Sequence, residues 1–106
     1  MLRAKAEIQF TLEGKNYMPD NHFRVAFNFG EGLIFSGTIR SNHLEYIQGE
    51  KYLTDVEFFT VEDEAFSVLK PILKDYMDLA ICSGSRILGK AKLHDFEYIN
   101  AVSGLM

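Results

Sequence analysis

Apolar and polar residues alternate with a period of two along much of this chain. Ala4, Ala6, Ile8, Phe10 and Leu12 are interleaved with Lys5, Glu7, Gln9 and Thr11. Successive side chains of a strand point to opposite faces, so this run predicts a strand with one buried face. Residues 13–16 read as a turn and 18–21 as a loop. Phe23, Val25, Phe27 and Phe29 then repeat the pattern, and Gly30-Glu31-Gly32 reverses the chain. Residues 33–39 form a third strand, in which Gly37 marks a bulge or a close backbone approach. A polar loop over 41–49 precedes a fourth strand over 51–59. The period then changes. Thr60 suits an N-cap, Glu62, Asp63 and Glu64 suit a first helical turn, and Lys70-Pro71 suits an end. Val61, Ala65, Val68 and Leu69 would share one face. Residues 61–70 therefore read as a short helix, with an acidic hairpin tip as the alternative. Two more strands, 77–82 and 86–93, are joined by Ser83-Gly84-Ser85, and a short tail begins at Asn100. Six or so short strands with turns between them and at most one short helix predict an all-β barrel or sandwich, read here as a small β-barrel.

Composition narrows the picture. At 106 residues the chain is one domain's length, and 47% hydrophobic with 25% charged residues excludes wholesale disorder. Nine Phe and five Tyr supply β-forming bulk for a core. No apolar run reaches the ~18 residues of a membrane span, and Met1-Leu2-Arg3-Ala4-Lys5 opens no signal-peptide core. A single cysteine, Cys82, makes no internal disulfide, so the expected compartment is the cytoplasm. The net charge of −4 disfavours polyanionic partners, and the acid excess gathers around Asp55, Glu57, Glu62, Asp63 and Glu64.

Catalytic and metal-binding patterns are sparse. His22, His43 and His94 lie in or beside three different turns, none with a partner at ligand spacing. His94-Asp95 would orient a base, but adjacent strand residues face opposite ways. Gly84-Ser85-Arg86-Ile87-Leu88-Gly89-Lys90 matches the spacing of a phosphate loop, yet Ala91 follows the lysine and the run alternates like a strand. The expectation is no catalytic residue, no metal and no cofactor.

The same segment, Leu79-Ala80-Ile81-Cys82-Ser83-Gly84-Ser85-Arg86-Ile87-Leu88-Gly89-Lys90-Ala91, resembles the closing hairpin of the third domain of elongation factor Tu, an FAIREGGRTVGAG-type stretch. Residues 14–29 are similar to that family's GGRHTPFFNGYRPQFYF-type stretch. Gly49-Glu50 and Leu69-Lys70-Pro71-Ile72 resemble its PGD and L-x-HPI turns. The resemblance covers about residues 3–95, with about ten extra residues between Gly49 and Pro71. It implies a six-stranded antiparallel barrel that packs on other domains, touches the T stem of aminoacyl-tRNA and contacts partner proteins. The family's GTPase chemistry belongs to a separate domain.

On this resemblance the binding candidates are Lys15, Asn16, Ser36, Ser83, Gly84 and Arg86, to which the strand pattern adds Lys90 and Lys92. Several depart from the family. Lys15 keeps the charge of the Arg in GGRHT, but Asn16 replaces its His. Ala26 replaces the Gln of PQF, Ser36 lies near a Thr, and Cys82-Ser83 replace Arg-Glu of REGG while Gly84 is kept. Most of the polar RNA-contacting set is lost. The expected function is a non-catalytic interaction module that binds protein, either translation machinery or its own copies. Its contact candidates are Glu62, Asp63, Glu64 and an exposed Phe66 in the inserted segment. A residual tRNA- or RNA-binding barrel is the alternative, and one structural feature separates them. A continuous stripe of Arg3, Lys5, Lys90 and Lys92 favours RNA, and interleaved acids disfavour it.

Overall fold

A computed structural model describes residues 1–11, 24–40 and 45–99. These residues form strands β1 (Leu2–Phe10), β2 (Arg24–Asn28), β3 (Ile34–Arg40), β4 (Lys51–Phe58), β5 (Met77–Ser83) and β6 (Arg86–Tyr98), with helix α1 (Asp63–Leu69) between β4 and β5. The strands close into an antiparallel barrel in the order β1-β4-β3-β2-β5-β6, and β6 returns to pair with β1. The six-stranded, all-β expectation therefore holds. No helix among the described residues is long and apolar enough to cross a membrane.

Alternation makes the core. Leu2, Ala4, Ala6, Ile8 and Phe10 of β1 all point inward and are buried. Phe27, Phe29 and Phe58 meet edge to face, with ring centroids 5.1 Å apart for Phe27–Phe58 and 5.5 Å for Phe29–Phe58. Gly37 is a close-approach position: a Cβ there would lie 2.6 Å from the Phe27 ring and 2.8 Å from Val56. The bulge lies elsewhere, on β6, where Ile81 pairs with Gly89 but Cys82 pairs with Ile87, leaving Leu88 as the extra residue. Gly84, at φ 61, takes the first position of the two-residue β5–β6 turn, where an L side chain is disfavoured.

Three features differ from the alternation reading. The loop 41–49 holds a core residue: Tyr46 is fully buried, 5.1 Å from the Phe10 ring and 4.8 Å from the Tyr52 ring. It lies between Glu45 and Ile47 in a stretch read as a polar loop, so the alternation reading did not mark it. The helix starts at Asp63 with Glu62 rather than Thr60 in the N-cap position, and no side chain caps it. Its inner face comprises Ala65, Phe66 and Leu69, while Val68 is 54% exposed. Leu69 is the buried pivot, and at 100° per residue Val68 turns away from it as Phe66 turns in.

β6 crosses β1 closely at Gly89. A Cβ there would lie 2.8 Å from the Phe10 Cα and would overlap the Gln9 carbonyl oxygen. Backbone on both sides cannot yield as a flexible side chain can. Gly89→Ala is expected to lower unfolding stability by about 1–3 kcal/mol, read as a lower midpoint in urea. An unchanged midpoint contradicts the crossing.

Candidate interaction surface

The outward positions of β4, β1 and β6 lie in rows across three strands. Arg3 faces Glu57 on one side and Glu97 on the other, Lys5 faces Asp55 and His94, Glu7 faces Leu53 and Lys92, and Gln9 faces Lys51 and Lys90. Acids interleave with the cations in three of the four rows; the fourth holds Lys51 and Lys90 on either side of Gln9. Arg3 lies 3.6 Å from Glu57, whose other carboxylate oxygen accepts from Arg40 Nε. Lys51 lies 3.6 Å from Glu7 and Lys92 lies 3.9 Å from Asp78. A phosphate track needs lysines and arginines whose charge is not already neutralised, and these pairs break it.

The residues singled out in the sequence are dispersed. Lys90 and Lys92 do point outward with His94, away from Ala91 and Leu93. Ser83 and Arg86 flank the Gly84-Ser85 turn at one end of the barrel, both exposed. Ser36 lies on β3 opposite Ala26, with β2 and β5 between it and Lys90. Lys15 and Asn16 lie outside the described residues, as do His22 and His43. No group of three or more His, Cys, Asp or Glu able to hold a metal occurs among the described residues.

What the structure does assemble is a groove of about 380 Å³ lined by Lys5, Leu53, Asp55, His94 and Asp95. A second bulge builds it. Arg3 pairs with Glu97 but Lys5 with His94, so two steps on β1 match three on β6. Asp95 absorbs the extra residue at φ 52, and its backbone N–H is taken by the Asp75 carboxylate at 3.0 Å. This overturns the expectation that His94 and Asp95 face apart: Asp95 Oδ2 lies 3.3 Å from His94 Nδ1, though out of line for a hydrogen bond. Tyr76, at φ 65, donates its N–H to the Leu93 carbonyl and stacks on His94 with ring centroids 4.9 Å apart and planes 17° apart. Leu53 and Tyr76 remain 74% and 63% exposed. The buried Thr54 hydroxyl beside it donates to the Arg40 carbonyl oxygen at 2.5 Å.

Neither apolar anchor figured in the sequence reading, yet Leu53 left a signal. In β4 the inward series is Tyr52, Thr54, Val56 and Phe58, so Leu53 occupies the polar register with Lys51, Asp55 and Glu57. Tyr76 left none, because its exposure follows from a left-handed backbone conformation that tyrosine rarely adopts.

The inserted segment is committed to the barrel. Phe66, expected to be exposed, is half-buried and lies flat on Tyr98, centroids 4.1 Å apart and planes 6° apart. Asp63 accepts a hydrogen bond from the Tyr98 hydroxyl, and Glu62 lies 3.5 Å from the Met1 ammonium. Glu64 is exposed. The hydrogen bond to Asp63 first, then desolvation and the charges of Asp63 and Glu62, push the Tyr98 hydroxyl from 10.0 up to about 12. A raised value means that folding favours the neutral phenol. Its contribution is fully present below pH 10 and is lost as pH rises through about 12. Phenolate absorbance should therefore contain a component near pH 12 that disappears in Tyr98→Phe and moves towards pH 10 in Asp63→Asn. A titration unaltered by Asp63→Asn refutes the contact.

No protein-family model matches this chain, and no curated protein matches it at a significant level.

Proposed function

We propose that this chain is a non-catalytic interaction module that binds another protein through the outer face of β4, β1 and β6. The observation carrying this reading is the pair of exposed apolar anchors, Leu53 and Tyr76, beside a groove of about 380 Å³. Protein contacts draw their energy from a few apolar or aromatic anchors surrounded by polar groups, and this face has that make-up. Charge supports the same reading. The carboxylates of Glu57, Glu7 and Asp78 pair with Arg3, Lys51 and Lys92, so fewer cations remain for an RNA backbone. In the groove, His94 and Asp95 lie side by side, and the nearby Thr54 hydroxyl is engaged by backbone. Likeness to the third domain of elongation factor Tu and a cytoplasmic setting belong to the same proposal. They rest on the residues quoted above and on the single cysteine.

The test is capture from a lysate of the source cells with the tagged chain and with its Leu53→Asp variant, each with and without RNase. The expected result is a stoichiometric protein that survives RNase and falls at least tenfold in Leu53→Asp, since a charge placed in an apolar contact removes its anchor. Recovery of tRNA, with loss of every protein after RNase, overturns this reading in favour of an RNA-binding barrel.

A further inference from the structure

The outer face of β4 and β1 is self-complementary in charge, and we propose that the partner docking there is a second copy of this chain. The inference rests on the reading that this face binds protein, and it names the occupant. The other ionic groups that β1 and β4 turn outward have partners within the chain: Arg3 and Arg40 with Glu57, and Lys51 with Glu7. Lys5 and Asp55 do not. They are cross-strand neighbours, both exposed, both lining the groove, and neither makes an ion pair among the described residues. One free cation and one free carboxylate on adjacent strands are what a two-fold interface uses, because each contact i to j is repeated as j to i.

The register places the axis. A two-fold running between β1 and β4, parallel to the strands, sets Lys5 of each copy against Asp55 of the other. Leu53, two residues from Asp55 on β4 and cross-strand from Glu7, is then offset sideways from its own counterpart by about one strand spacing, ~4.8 Å, across faces packed ~10 Å apart. The exposed leucines flank the axis diagonally, each over Glu7 of the other copy, with two ion pairs in the next row. In a chain of net charge −4, a second copy is repelled by most of the surface. Across this axis Lys5 and Asp55 cancel pairwise, so the rows of β1 and β4 bring no net repulsion to the apolar contact. Sheets packed face to face with strands roughly aligned are an ordinary arrangement.

The face also sets the strength. Four outward side chains on each of three strands span about 20 Å by 10 Å. Even with flanking loops this is a few hundred Å², below the ~800 Å² per partner of a standard stable complex. Association through so small a patch is therefore weak and reversible.

Sedimentation equilibrium of the purified full chain, from about 10 µM to about 1 mM, reads the result directly. The expected outcome is a monomer–dimer equilibrium that Leu53→Asp, Lys5→Glu and Asp55→Lys each weaken at least tenfold. An equimolar mixture of Lys5→Glu and Asp55→Lys chains should regain it, because each chain then offers the charge the other lacks, and the double variant should dimerise alone. All the substituted side chains are exposed, and circular dichroism confirms that each variant is folded. A monomer at every concentration overturns the proposal, as does a dimer indifferent to these substitutions or a mixture that fails to recover. Protein binding in general is judged separately: a heterologous partner captured through Leu53 by a monomeric chain leaves that reading intact while excluding self-association.

Discussion

Everything in this molecule depends on closure of the sheet. β1 pairs with β4 on one side and β6 on the other, so the first and last strands of the ladder meet and each strand has two neighbours. Closure removes the long free edges that invite pairing with other chains. It also forces every side chain into one of two environments, the packed interior or the outer wall. Small residues at Ala4, Ala6, Gly37 and Gly89 let aromatic rings fill the narrow interior without lifting the strands apart. The helix and the Tyr46 loop complete the core at opposite ends, one against Tyr98 and the other against Phe10.

The same closure determines the chemistry of the wall. Antiparallel registers place residues from β4, β1, β6 and β5 side by side, and in this chain they set Glu57 beside Arg3, Glu7 beside Lys92 and Asp78 on the far side of Lys92. Exposed pairs of this kind contribute little stability, at most about 1 kcal/mol each. Their consequence is electrostatic: they dissolve what looks in the sequence like a basic strand into a neutral lattice. A face of that sort offers a phosphate backbone fewer unpaired cations than the sequence suggests.

Irregularity, rather than regular structure, gives the surface its character. The bulge at Asp95 turns a side chain that should point away from His94 towards it. The bend at Tyr76 lays an aromatic ring over the same histidine. Both positions hold non-glycine residues at positive φ, conformations that persist only where surrounding contacts enforce them. The enforcing contacts are present, from the Asp75 carboxylate to the Asp95 N–H and from the Tyr76 N–H to the Leu93 carbonyl. Loop and strand are thereby tied together at the edge of the groove.

Period-two alternation determined the six strands, the identity of the β1 core residues and the outward series of Lys90, Lys92 and His94, because side-chain direction along a strand is a local property. The acidic turn before Ala65 likewise marked a helix between β4 and β5. Other features were legible only in three dimensions. Burial of Tyr46 depends on rings that arrive from two distant strands, and the stack of Phe66 on Tyr98 joins residues 32 positions apart in the chain. The meeting of His94 with Asp95 depends on a bulge, which a two-residue period cannot express. Above all, whether cations gather or are cancelled is decided by which strands are neighbours and in what register. That is a property of barrel closure, and no single strand carries it.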